Sequence, residues 1–92
     1  MITRQEVCKQ GVSVTDLSFN SNSKFVIFCC EDLTLGLFNT KTKLVAALPC
    51  EHSNKEATLT QCNFNYTDTM IASAASDGEL IVYSLEISSD QM

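Results

Sequence analysis

The residues best suited to chemistry in this chain are few, and they crowd around one histidine. His52 is the only imidazole, and it follows Cys50 and Glu51. A thiol and an imidazole so close suggest two chemistries: the start of a metal site, or a cysteine activated for nucleophilic attack. Neither is completed. No second ligand pair stands at metal spacing, and adjacent strand residues point to opposite faces. Asp32 and Asp77 are the other candidates, carboxylates of the kind that flank a glycosidic bond when held about 5–9 Å apart. The three glycines cannot be assembled into a phosphate-cradling loop. We therefore expect no catalytic residue, no cofactor and no metal.

The elements that must position these residues repeat at an offset of 45 residues. Leu17-Ser18-Phe19-Asn20 answers to Cys62-Asn63-Phe64-Asn65, and Phe25-Val26-Ile27 to Met70-Ile71-Ala72. Asp32 answers to Asp77, and Leu35-Gly36-Leu37-Phe38 to Leu80-Ile81-Val82-Tyr83. A period of about 40–45 residues built from short strands is the spacing of a four-stranded propeller blade. Such units stack because none buries its apolar faces alone. Asp32 and Asp77 then occupy equivalent turns of different blades, which disfavours a catalytic pair.

Strand signals fill both units. Val12 to Phe19 carries spaced apolar residues, and Asn20-Ser21-Asn22-Ser23 is a turn because each side chain can bond its local backbone. Phe25 to Cys30 is a continuous apolar run, the mark of a strand buried on both faces. Thr34 to Phe38 follows the turn at Glu31-Asp32-Leu33, and Leu44 to Leu48 is closed by Pro49. The second unit repeats the scheme with strands over Thr58 to Phe64, Met70 to Ala75 and Glu79 to Leu85, the last two joined by Ser76-Asp77-Gly78. No helix is expected, since the six residues before Pro49 are too few to sustain one. The fold class is all-β, with units at 1–42 (an outer strand plus three strands) and 43–86, then a polar tail at 87–92. The expected core is Leu17, Phe19, Val26, Phe28, Leu35, Leu37 and Phe38 in the first unit and Phe64, Ile71, Leu80 and Val82 in the second.

Composition narrows the function classes. The net charge is −5, from 11 acidic and 6 basic residues in 92, with no basic cluster to hold a phosphate backbone. Nucleic acid is not an expected partner. No run approaches the roughly 18 apolar residues of a membrane span, and residues 1–11 are too polar for a signal peptide. Five cysteines are an odd number, Cys29 and Cys30 are adjacent, and Cys8, Cys50 and Cys62 lack CxxC spacing. Reduced, buried thiols in a cytoplasmic protein are expected.

The pattern Leu59-x-x-Cys62-x-Phe64, then Ile71-Ala72-Ser73, then Ser76-Asp77-Gly78-Glu79-Leu80-Ile81-Val82-Tyr83-Ser84 resembles the WD40 repeat family. The resemblance covers residues 2–85 and departs from it at the Trp-Asp dipeptide, where Phe38-Asn39 and Tyr83-Ser84 stand. It implies two four-stranded antiparallel blades of a larger propeller of the seven-bladed type. It also implies a structural tetrad in the second unit, made of His52, Ser73, Asp77 and Tyr83. Asp77 is expected to accept from the imidazole, and the imidazole to meet the Ser73 hydroxyl. The first unit keeps only Asp32, with Val7 and Phe28 in the His and Ser places. The last strand, with Ile71-Ala72-Ser73, is also similar to a blade of the family member that recruits the γ-tubulin ring complex to centrosomes and spindles. That similarity implies γ-tubulin ring complex subunits as partners, a role in microtubule nucleation, and a centrosomal and spindle location.

The expected function is a non-catalytic scaffold for protein partners. Asn20, Ser21 and Asn22 in one turn and Glu51, Asn54 and Lys55 in one loop are the candidate contacts. The alternative is a small self-assembling β-propeller module that binds a ligand such as a sugar between blades, for which Tyr66 and Tyr83 are the available aromatics. The rest of the ring would come from remaining blades or from further copies of the chain.

Overall fold

The computed structural model describes residues 2, 4, 6, 7 and 11–85. Seven strands form in the order expected: β1 (Val14–Phe19), β2 (Phe25–Cys30), β3 (Leu35–Asn39), β4 (Val45–Leu48), β5 (Leu59–Phe64), β6 (Met70–Ala75) and β7 (Leu80–Ser84). They make two antiparallel meanders, a four-stranded sheet β1-β2-β3-β4 and a three-stranded sheet β5-β6-β7. The second blade is thus one strand short among the described residues. Ile2, Arg4, Glu6 and Val7 form no strand; the rest of the expected outer strand, like the polar tail, lies outside the described residues.

The turns repeat as faithfully as the strands. Ser23 and Asp68 both take positive φ, at 63° and 62°, and so do Leu33 and Gly78, at 71° and 91°. In each β2–β3 or β6–β7 turn the residue before the turn bonds across it twice. Cys30 N–H donates to Thr34 O and Cys30 O accepts from Leu33 N–H, as Ala75 N–H and O do with Glu79 O and Gly78 N–H. That closure requires a left-handed residue in third place, which glycine fills without steric cost and leucine does not.

The sheets pack face to face, β1 and β2 lying on β5. Ile27, Cys29 and Leu35 from the first sheet meet Leu59, Cys62, Ile71 and Ala75 from the second, all buried. Strand alternation decides which expected core residues join this seam. Leu35 and Ile71 do. Leu17 and Phe19 pair with Phe28 and Val26 on the far face of the first sheet and are each 56% exposed. Leu80 and Val82 likewise sit on the far face of the second sheet, exposed. The seam instead takes Ile27, Cys29, Leu59 and Cys62, which the sequence had not singled out as core. Gly36 is fixed by the far face: a Cβ there would collide with the ring of Phe28, its cross-strand partner.

Candidate functional site

His52 sits in the connection between the two sheets, 1% exposed. Its Nε2 lies 2.8 Å from Ser73 Oγ on β6, and its Nδ1 lies 3.1 Å from Glu79 Oε1. Glu79 stands just before β7 and reaches back over the loop. Its Oε1 also accepts from Ser53 N–H at 2.9 Å, and its Oε2 from Ser53 Oγ at 3.1 Å. The Ser53 amide is the main cause holding the Glu79 carboxyl below the usual range; the Ser53 hydroxyl and His52 act in the same direction.

The carboxylate of this network is therefore Glu79, which corrects the expectation of Asp77. Asp77 is exposed, and its Oδ1 accepts from Glu79 N–H at 3.1 Å, as Asp32 Oδ1 accepts from Thr34 N–H at 3.0 Å. Both aspartates brace their own turns. A short side chain spent on its own turn does not extend to the imidazole, whereas the longer Glu79 does. Tyr83 also stands outside the His52–Ser73 pair. Its hydroxyl accepts from Glu51 N–H at 3.1 Å, tying down the residue next to the histidine. The signal for Glu79 was present in the sequence as the second carboxylate of the Asp77-Gly78-Glu79 turn.

Serine on Nε2 and a carboxylate on Nδ1 is the hydrogen-bond order of a hydrolytic triad. Burial removes that use here, because Ser73 is as enclosed as the histidine and presents no face to a substrate. What the network does is hold the loop. His52 and Ser53 are fastened to the second sheet, while Glu51, Asn54, Lys55 and Glu56 stay exposed around them. Asn54 Oδ1 accepts from Glu56 N–H and Lys55 Nζ donates to Cys50 O, so the exposed part is itself shaped.

The other candidate loop is only partly available. Asn20 is 4% exposed, which corrects its place among the exposed contacts. Asp68, from the β5–β6 turn, draws it inward. Asp68 Oδ2 accepts from Asn20 Nδ2 at 3.2 Å and from Ser21 Oγ at 2.6 Å, and Oδ1 from Ser21 N–H at 3.2 Å. Asn22 is exposed and braces the turn through Lys24 N–H. Two further polar ties cross the seam. Thr15 Oγ1 donates to Leu59 O at 2.7 Å, and Asp16 Oδ2 accepts from Cys62 N–H at 3.0 Å. Beside them the Cys29 and Cys62 thiols meet. The Cys62 S–H holds the Cys29 thiol below its ordinary value, and the same contact pushes Cys62 up. Cys29, Cys30, Cys50 and Cys62 are in no disulfide, and no metal-binding cluster occurs among the described residues.

A four-stranded and a three-stranded antiparallel meander, stacked and stepping at a fixed period, define a protein built from β-propeller blades. The chain belongs to the WD40 family (WD domain, G-beta repeat), whose model matches residues 5–39 and 43–84. No curated protein matches the chain. Among solved structures it is similar to the crystal structure of the computationally designed Ika4 protein, with a TM-score of 0.60 and 23% identity. That match covers 80% of this chain and 42% of the other, so the chain spans less than half of that structure. The likeness is one of fold.

Proposed function

We propose that the chain is a non-catalytic interaction scaffold that supplies two blades to a larger propeller and presents the 51–56 loop to a protein partner. The observation that carries this reading is the contrast within that loop: a wholly buried His52 anchors it while its neighbours stay in water. Anchoring lowers the entropy lost when a partner orders the loop, and so favours recognition. WD40 repeats form interaction scaffolds, and the enclosed Ser73 argues against hydrolysis.

The finer reading is that the partner is a subunit of the γ-tubulin ring complex and that the protein acts in microtubule nucleation at centrosomes and spindles, in the cytoplasm. Its support is the similarity of Ile71 to Ser73 and of the β7 strand to a blade of the family member that recruits that complex. Affinity capture of the ring complex from mitotic extract, by the chain and by a Glu51→Ala/Lys55→Ala variant, tests it. We expect capture that the variant loses. Equal capture by both would remove the loop from the interface, and no capture would remove this partner.

Two hollows among the described residues lend the sugar-binding alternative no support. Neither the groove on the far face of the first sheet nor the hollow beside Asp16 is lined by Tyr66 or Tyr83.

A further inference from the structure

Two cysteines face each other across the seam between the sheets. Cys29 on β2 and Cys62 on β5 belong to the same buried cluster, at 0% and 2% exposed. Both sulfurs also rest on one short piece of β1. Thr15 Oγ1 lies 3.3 Å from Cys29 Sγ, and Asp16 O accepts from Cys62 Sγ at 3.7 Å. Asp16 is the cross-strand partner of Cys29, and the register of β1 on β2 shifts between Val14 and Asp16. That irregularity sets consecutive residues against one sulfur each, and the two thiols meet beneath them.

Blade packing does not call for sulfur at either place. At the 45-residue offset Cys29 answers to Ala74 and Cys62 to Leu17, so the counterparts are apolar residues without a thiol. Cys30 stands outside the buried cluster, and Cys50 packs against it only partly buried. Among the described cysteines, the two that touch are the two that join different sheets.

The pair is chemically asymmetric. The Cys62 contact, with help from Thr15 and against the effect of burial, brings the Cys29 thiol down to about 7. The thiolate is the nucleophilic form, so Cys29 is the sulfur that an oxidant meets first. The same contact and burial push Cys62 up, which keeps it a thiol until its partner has reacted.

From this arrangement we infer that Cys29 and Cys62 are an oxidisable pair, which hydrogen peroxide converts to a disulfide that locks the first sheet to the second. Cys29 S–H and the peroxide give a sulfenic acid and one water. The Cys62 sulfur then attacks the Cys29 sulfur, the S–S bond forms, and the sulfenic oxygen leaves with the Cys62 proton as a second water. Two electrons pass from the sulfurs to the peroxide, and no other reagent is needed. A disulfide needs side chains that already converge, as touching thiols do. The thiols lie one layer below Thr15, an exposed residue on the first strand of its sheet, so a small neutral oxidant reaches them when that edge opens locally. The inference is independent of which partner the 51–56 loop binds.

Peptide mapping of the folded 92-residue chain after treatment with hydrogen peroxide, the remaining thiols being alkylated in denaturant, is the test. Trypsin leaves Cys29 and Cys30 in peptide 25–41, Cys50 in 44–55 and Cys62 in 56–92. We expect 25–41 joined to 56–92, lighter by two hydrogens, in a product that runs as a monomer on a non-reducing gel and is reversed by dithiothreitol. Cys30→Ala should keep the join, while Cys29→Ala and Cys62→Ala should each lose it; far-UV circular dichroism checks their folds. Should either seam variant fail to fold, fragment-ion sequencing of the parent's joined peptides still separates Cys29 from Cys30. The oxidised chain should also resist urea better, its folded-to-unfolded ratio at the reduced chain's midpoint rising at least about tenfold, because the bond restricts the unfolded chain. No join, a join through Cys30 or Cys50, a join made only in urea, or an oxidised chain no harder to unfold would each overturn the inference.

Discussion

His52 and Ser73 meet at 2.8 Å, ring nitrogen to hydroxyl, with both residues only 1% exposed. A pair so enclosed has no water to replace a lost partner. Substituting His52 by alanine strips Ser73 of this bond and opens a cavity. We expect a loss of roughly 2–4 kcal/mol in urea unfolding. Asp77→Ala removes one exposed turn bond and should cost about 0.5 kcal/mol or less. The expected order is His52→Ala, then Glu79→Gln, then Asp77→Ala. An Asp77→Ala loss equal to that of His52→Ala would return the aspartate to the network.

The pH dependence follows from Glu79. Its carboxyl is held below the ordinary value of 4.5 by Ser53 and His52, so the folded state favours the ionised form. The unfolded chain binds the proton more readily, and stability is therefore present above the unfolded value and lost as pH falls through the folded one. Asp32, lowered by Thr34, acts in the same direction. The melting temperature should fall as pH drops below about 4.5, and Glu79→Gln should flatten part of that slope. A parent and a variant with superimposable profiles would dissociate Glu79 from the effect.

The strand order and both sheets were legible in the sequence because the 45-residue repeat and the turn chemistry agree at every step. The division of side chains between faces was less so. The apolar run Phe25 to Cys30 carries no alternation, so nothing in it told Ile27 and Cys29 on the seam from Val26 and Phe28 on the far face. His52 and Ser73 were legible through the family pattern. Their carboxylate was not, because Asp77 and Glu79 are two residues apart and only side-chain reach separates them. Asn20 was misplaced for a related reason: an asparagine in a turn reads as exposed until a distant partner, here Asp68, is known.

Asp68 ties the two sheets at their turns. It is 5% exposed and accepts three hydrogen bonds from Asn20 and Ser21. Asp68→Ala leaves the buried Asn20 amide without its acceptor, and we expect a cost of roughly 1–3 kcal/mol. Asp68→Asn keeps the shape and positive φ that asparagine tolerates, so it should cost less. Hydrogen exchange localises the effect. Faster exchange at Ser21 N–H, with the β2–β3 ladder unchanged, is the expected pattern; uniform acceleration across both sheets would mean that the clasp is not local.

Gly78 and Leu33 occupy the same left-handed turn position in the two units, and they test how much of the repeat is backbone. A Cβ at Gly78 meets nothing within 4 Å, so Gly78→Ala changes no contact and isolates the conformational term at φ 91°. A left-handed L-residue costs about 1–2 kcal/mol, and the denaturation midpoint should fall accordingly. Leu33→Gly removes the same strain at φ 71° but also removes a side chain packed against the buried cluster. The two effects oppose, so its net change should be small, within about 1 kcal/mol of zero. A second variant, Leu33→Asn, relieves strain while still losing that packing, and should be less stable than Leu33→Gly, because asparagine is only partly at ease in the left-handed region. If Gly78→Ala proved neutral, the turn would tolerate a side chain at this position, and the shared φ of the two units would reflect the closing hydrogen bonds alone.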